Sequence, residues 1–223
     1  MPHTARTTGD PAEITAHLRE AITRGQLMPN ERLIEADLAK SFGVNRANIR
    51  MALAMLDQEG LVVREPNRGA RVRAVSDGEA VEIAETRLAI EGMVARRAAE
   101  RATPADRKAL RAIEKEMRRA VEQADYAAFS QSNAALHRDI QRIAANETAN
   151  RILQTLKLHL VRLQYRVILL PGRPETSLAE HRVIVDAICA GDGDAAEAAM
   201  RRHLLNFKKL LQQAIDAARH GGF

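Results

Sequence analysis

Apolar residues recur with two spacings along the chain, and the pattern changes near residue 75. The first part has helical stretches with apolar residues three or four positions apart, at about 11–24, 35–41 and 45–59. Gly43 lies in a tight turn before the third of these stretches. Alternation at 61–64 and 70–75, with a Pro-Asn-Arg-Gly turn between them, predicts two strands of a hairpin.

From residue 76 onward the pattern is helical throughout. Six helices are predicted, at about 77–101, 103–124, 126–144, 149–170, 175–190 and 194–219. Helices of this number and length predict an antiparallel six-helix bundle. The chain is therefore expected to be mostly α. We expect a flexible tail at residues 1–9, a first domain at 10–75 and a helical domain at 76–223.

Composition narrows the class of protein. The 223 residues include one cysteine and 3% aromatic residues, which excludes a disulfide scaffold and disfavours an aromatic-rich β-sandwich. No apolar run is long enough to span a membrane, and the first ten residues lack the apolar core of a signal peptide. A cytoplasmic protein is expected. The formal net charge of +5 permits a nucleic-acid partner without proving one.

The order of elements at the N-terminus, three helices followed by a basic hairpin, predicts a winged helix-turn-helix that binds double-stranded DNA. The third helix would enter the major groove, where Arg46 and Arg50 share a face because they lie four residues apart. Asn45 and Asn48 flank them, and arginine and asparagine side chains read guanine and adenine. Arg68, beside Gly69 at the hairpin tip, would reach a minor groove or a phosphate. The other phosphate candidates are Arg32, Arg64, Arg71 and Arg73.

Three histidines lie on separate helices of the predicted bundle: His137, His181 and His203. Each has apolar neighbours in the sequence, and helices of a bundle bring side chains together at an internal point. Spacing alone leaves two roles open. The histidines are either hydrogen-bonded core groups or ligands of a divalent transition metal.

Several motifs carry a family resemblance: Leu27–Leu33, Leu38–Arg46, Ile49–Leu53, Glu59–Val62 and Arg68–Val72. Together they resemble the DNA-binding module of GntR-type regulators over nearly all of residues 11–75. The resemblance implies a winged helix-turn-helix, a homodimer and a palindromic operator. The family usually has Ser or Thr at Asn45, Pro at Asn48 and Glu at Met51, so the base preference does not follow from the resemblance.

Motifs in the helical part also match: Arg87–Glu91, Asn133–His137, Glu180-His181 and Gly191–Leu204. They resemble the FCD ligand-binding domain of FadR-type regulators, and six helices resemble the shorter, VanR-like subgroup. The resemblance implies one metal per chain, zinc or nickel, on Asn133, His137, His181 and His203. It also places Arg87 in the cavity, where it would pair with a carboxylate effector. An ion pair between Arg87 and Glu91 is the alternative, and Asn206 is a further effector-binding candidate.

Three functions fit these patterns. The leading hypothesis is a ligand-responsive transcription regulator, usually a repressor in the resembled family, that binds a small organic acid directly or through the metal. The second is a metal-dependent hydrolase with a three-histidine site, and Glu180 and Glu197 are its candidate general bases. The third is an architectural DNA-binding protein with little sequence preference. The absence of HExxH, P-loop and nucleophile-elbow motifs favours a protein that is not an enzyme.

Overall fold

The computed structural model describes residues 9–23, 25–65 and 69–220, except for the side chains of 157–166 and 218–220. Residues 1–8 of the expected tail, and Arg68, lie outside the described residues. The chain separates into two compact units, Met1–Ser76 and Asp77–Phe223. It is mostly helical, as predicted.

The first unit holds three helices and a small sheet. Its elements are α1 (Pro11–Thr23), β1 (Arg32–Leu33), α2 (Glu35–Phe42), α3 (Arg46–Gln58), β2 (Val62–Glu65) and β3 (Gly69–Val72). Gly43 ends α2 with a left-handed φ of 68°. The core between α1, α3 and the sheet includes Ile14, Ile49, Leu53 and Leu56, each at most 1% exposed. The winged helix-turn-helix order predicted from the sequence is therefore confirmed.

The sheet has one more strand than the predicted hairpin. Its order is β1-β3-β2, with both neighbours antiparallel. Strand β1 is only two residues long, too short for alternation to mark it in the sequence. Gly69 begins β3 with φ of +88°, and a Cβ there would lie 2.3 Å from the carbonyl oxygen of Leu33. Glycine is therefore required where β1 and β3 meet.

The second unit contains the six helices expected for the bundle. They are α4 (Asp77–Arg101), α5 (Pro104–Glu122), α6 (Tyr126–Ala144), α7 (Glu147–Ile168), α8 (Arg173–Ala190) and α9 (Gly193–His220). Helices α7 and α8 each begin two residues before the predicted start. Asn146 accepts a hydrogen bond from the Ala149 N–H beside the start of α7, and Pro174 fits the first turn of α8.

Thr103, directly before Pro104 and three residues before Asp106, has the spacing of a capping box, and it caps α5. The Thr103 hydroxyl accepts a hydrogen bond from the Asp106 N–H, and the Asp106 carboxylate accepts one from the Thr103 N–H. Asp106 also pairs with Arg142 of α6 at 2.7 Å. The Thr103 hydrogen bonds, together with Arg142, lower the pKa of Asp106 from 3.8 to about 2.

The buried face of α4 consists largely of small residues. Ala80, Ala84, Ala95 and Ala98 are at most 1% exposed. Helix α9 packs closely against this face, and a Cβ on Gly92 would lie 2.9 Å from the Arg201 side chain. The larger core residues, such as Phe129, Leu136 and Ile184, come from α6 and α8. Small residues on α4 therefore let the helices that carry the histidines approach each other.

Candidate functional site

Helix α3 presents the two arginines predicted to read bases. Arg46 and Arg50 are both exposed, and the side chain of Arg50 is 60% exposed. Arg50 Nε donates to Glu35 Oε2 of α2 at 2.8 Å. Arg50 thus has a carboxylate partner on the neighbouring helix α2.

The two asparagines beside these arginines have roles within the unit. Asn45 caps α3 by accepting a hydrogen bond from the Asn48 N–H at 2.9 Å. The Asn48 side chain donates to the carbonyl oxygen of Gly9 at 2.6 Å, which ties the residue before α1 to the start of α3. Base reading by Asn48 would require this hydrogen bond to break.

The sheet carries the other DNA candidates. Arg32 is exposed on β1 and lies opposite Arg71 of β3 in the register. Arg71 donates to Glu65 at 3.0 Å and to the carbonyl oxygen of Asn30 at 2.8 Å, so it stabilises the wing. Gly69 contributes a backbone conformation and not a side chain.

The three predicted histidines meet in the second unit. His137 comes from α6, His181 from α8 and His203 from α9, and their ligand nitrogens lie within 4.8 Å of one another. They are 5%, 0% and 6% exposed. The Nε2 atoms of His137 and His181 are 3.2 Å apart.

The Nδ1 atom of each histidine contacts an oxygen that can only accept a hydrogen bond. His137 Nδ1 donates to Glu91 Oε2 at 2.7 Å, and His181 Nδ1 donates to the Ser177 carbonyl oxygen at 2.6 Å. His203 Nδ1 donates to Glu180 Oε2 at 2.7 Å. These contacts place the proton on Nδ1 and leave Nε2 as the ligand atom of each ring.

The carboxylates of Glu91 and Glu180 each also contact a buried arginine. Arg87 Nε donates to Glu91 Oε1 at 2.7 Å, so the ion pair weighed for Arg87 is present. Its Nη1 atom is buried without a hydrogen-bond partner among the described residues. Arg173 Nη1 lies 3.0 Å from Glu180 Oε2. The two sets, Arg87–Glu91–His137 and Arg173–Glu180–His203, follow the same order of groups.

Asn206 also belongs to the second of these sets. Its Nδ2 atom donates to Glu180 Oε1 at 2.8 Å, so both Glu180 oxygens are engaged. Glu197, the other candidate general base, pairs with Arg96 and Arg201. Both candidate general bases are therefore engaged by other side chains in this structure.

Burial favours the neutral form of His181 and His203. Desolvation lowers the pKa of His181 well below its usual value, and nearby His203 and His137 lower it further. Desolvation also lowers the pKa of His203, against the opposing effect of Glu180. Neutral imidazole is the form that binds a metal.

The remaining predicted ligand, Asn133, lies one turn before His137 on α6. Its Oδ1 atom is buried and has no hydrogen-bond partner among the described residues. An unsatisfied buried acceptor costs about 1–3 kcal/mol. A cation would satisfy it, so the residues present fit a metal held by three imidazoles and an amide oxygen.

Some functional residues were harder to find in the sequence. The four-residue spacings of Arg87 to Glu91 and of Ser177 to His181 place each pair on one helix face. Glu180 is separated by 23 residues from His203 on another helix, and nothing local indicates that contact. No signal in the sequence identified Arg173.

A basic helix-turn-helix joined to a helical unit with a buried histidine cluster defines a DNA-binding regulator with a separate sensing domain. Sequence comparison supports this class. Residues 11–72 match the family described as bacterial regulatory proteins of the gntR family, and residues 82–206 match the FCD domain. The chain belongs to the GntR family of transcription regulators and carries an FCD domain.

Relatives and solved structures agree with this assignment. The HTH-type transcriptional repressor RspR of Escherichia coli K12 is 30% identical over 196 residues, covering 88% of this chain and 86% of the relative. A probable D-xylose utilization operon transcriptional repressor of Paenarthrobacter nicotinovorans is 28% identical, covering 82% of this chain and 80% of the relative. The fold resembles E. coli McbR/YncC with a TM-score of 0.75 at 20% identity, covering 92% and 98% of the two chains.

Members of this family bind DNA and effector ligands and are regulators, not enzymes. Within the described part of the chain, no helix combines the length and the apolar character needed to cross a bilayer.

Proposed function

We propose that this chain is a homodimeric transcription repressor whose helical domain senses a small organic acid through a bound divalent transition metal. Residues 10–75 would bind the operator, and residues 76–223 would bind the effector and form the dimer. One zinc or nickel ion per chain would be held by Asn133, His137, His181 and His203. As a regulator of bacterial genes, the protein would act in the cytoplasm.

The observation that carries this proposal is the 3.2 Å separation between His137 Nε2 and His181 Nε2. When both rings are neutral and protonated at Nδ1, two Nε2 lone pairs face each other, which is repulsive without a cation between them. With Zn–N distances of about 2.0–2.1 Å, two ligands of a tetrahedral site lie about 3.3–3.4 Å apart. The observed spacing supports a metal held at this point.

The donor set indicates the chemistry of the effector. The three imidazoles and the amide are neutral, so they leave the charge of a bound dication unneutralised. A carboxylate completing the coordination would offset that charge. The buried Nη1 of Arg87 offers a hydrogen bond to such an acid, while Glu91 accepts from the Nε of the same guanidinium. Differential affinity of the effector for two states of the dimer would then change operator affinity.

The DNA contacts follow from the first unit. Arg46 and Arg50 would read bases, Asn45 would position the start of α3, and Arg32, Arg68 and Gly69 would form the contact at the wing. Two-fold symmetry of a homodimer requires a palindromic operator. RspR and the Paenarthrobacter relative are named as repressors, which supports repression here.

Metal content tests the sensing half of the proposal. Tag-free protein purified without chelators would be analysed by elemental mass spectrometry. About one transition metal per chain is expected, with loss in His137→Ala and retention in His17→Ala, since His17 is an exposed histidine on α1. Metal-free wild-type protein after reconstitution with zinc and with nickel would contradict the metal site.

DNA binding tests the other half. Arg50→Ala should weaken binding to a selected operator far more than binding to random DNA at the same salt concentration. Equal losses on both DNAs would mean that Arg50 contacts phosphate alone. Wild-type protein that binds operator and random DNA equally would instead favour an architectural protein.

A further inference from the structure

The outward face of α3 is apolar at its centre. At about 100° per residue, the buried residues of α3 share one side of the helix, and Ala47 and Met51 lie about 150–170° from their mean direction. The four buried residues are Ile49, Ala52, Leu53 and Leu56. Ala47 is exposed, and Met51 is 57% exposed. Arg50 lies beside this strip, about 110° from the core direction.

Core packing does not account for Met51. Met55, one turn later, contacts the Thr15 hydroxyl of α1 through its sulfur at 3.6 Å, which explains a methionine there. Met51 is more exposed than Met55, at 57% against 37%. Met51 and Ala47 together give the outward side of α3 an apolar strip that no contact among the described residues covers.

Charge indicates which partner this face meets. Helix α3 carries Arg46 and Arg50 in its first half and no acidic residue before Asp57. Arg50 flanks the apolar strip, with Glu35 as its present partner, and Arg46 lies about 70° from the core direction. An apolar strip flanked by exposed arginines is complementary to the major groove, where phosphates line the rim. On the groove floor, the C5-methyl group of thymine is the apolar group that a base pair offers.

We propose that Met51, with Ala47 beside it, reads thymine through its C5-methyl group next to the base contacted by Arg50. This assignment rests on the DNA-binding part of the proposed function and goes beyond it by naming the base. Removing one methyl from this contact should weaken binding about fourfold per half-site, or about fifteenfold for two symmetric half-sites.

The test begins by selecting high-affinity operators from random DNA with the wild-type protein. Thymines in the selected half-sites are then replaced by deoxyuridine, which lacks only the C5-methyl group. Affinities are measured by fluorescence anisotropy at fixed salt. The wild-type protein should bind the uracil operator about fifteenfold more weakly, and Met51→Ala should lose most of this discrimination.

Met28→Ala is the matched control because Met28 is 56% exposed but lies outside α3, and it should keep full discrimination. Circular dichroism would verify that both variants fold. Equal wild-type affinity for the two operators, or unchanged discrimination in Met51→Ala, would overturn the assignment. Half-sites without a required thymine would do the same. Failure to select any operator would instead contradict the DNA-binding function itself.

Discussion

The ion pair of Arg87 and Glu91 gives the sharpest prediction, for the variant Glu91→Gln. Their side chains are 3% and 2% exposed, so neither charge is solvated by water. Removing the charge of Glu91 leaves the Arg87 guanidinium buried without its counterion, which costs about 3–5 kcal/mol in comparable buried pairs. At about 3 °C per kcal/mol for a domain of this size, the unfolding transition of the helical unit should fall by about 10 °C.

The same variant should weaken metal binding. Glu91 fixes the tautomer of His137 and raises the electron density on its Nε2, and loss of such a partner typically lowers metal affinity about 10–100-fold. Differential scanning calorimetry of metal-free protein would measure the first effect. Competition with a chromophoric chelator would measure the second.

Glu114→Gln is the matched control. Glu114 is also buried, at 5% side-chain exposure, but its partners Arg111 and Arg118 are 44% and 52% exposed. Water solvates these arginines when the carboxylate charge is lost, so the expected cost is about 1 kcal/mol. Equal stability losses in Glu91→Gln and Glu114→Gln would refute the argument from burial.

A double variant separates the two effects. Arg87→Met combined with Glu91→Gln removes both buried charges and should recover much of the lost stability, because no charge is then left buried without a counterion. Metal affinity should stay low, since His137 still lacks its carboxylate. Recovery of both properties would mean that Glu91 acts on the metal only through stability.

Three further outcomes are expected. Asp106→Asn should lower stability at pH 7 by about 1 kcal/mol, after allowance for solvent screening at this surface cap. The pKa of Asp106 is lowered to about 2, so the wild type should lose this stability as the pH falls from about 4 to 2. The Asp106→Asn variant should lack this pH dependence. Urea unfolding across that range would test both effects, and a variant with the wild-type pH profile would contradict them. Gly69→Ala should cost about 1–3 kcal/mol and weaken operator binding, because its Cβ would meet the Leu33 carbonyl at a positive φ; wild-type values in thermal unfolding and gel shift would count against this. Asn133→Asp should tighten zinc binding in chelator competition, because a carboxylate adds negative charge to a neutral donor set; unchanged zinc affinity would remove residue 133 from the site.

The features that were predicted correctly are those set by residues close together in the sequence. The cap at Thr103, the left-handed glycine at Gly43 and the helical spacing of the bundle all depend on residues within a few positions of one another. Strand β1 was missed because its pairing partner Arg71 lies 39 residues further along the chain.

The candidate site shows the same division. Each histidine was singled out in the sequence by its apolar neighbours, and the structure brings the three histidines together. The contact of His203 with Glu180 depends on how α8 packs against α9, which periodicity does not encode. Asn48 carried a base-reading prediction, which stays a prediction, while its observed partner is the Gly9 carbonyl.

Glu91 links the histidine cluster to α4 through its hydrogen bond with His137. From Glu91 the contacts continue to Arg87, one turn nearer the start of the helix at Asp77, and four residues, 73–76, separate that start from strand β3. The fourteen residues from Asp77 to Glu91 form a rigid arm of about 21 Å, so a tilt of about 5° at Glu91 displaces the start of α4 by about 2 Å. By this geometry, a change of tilt at Glu91 would move the start of α4 further than it moves the histidine end of the arm.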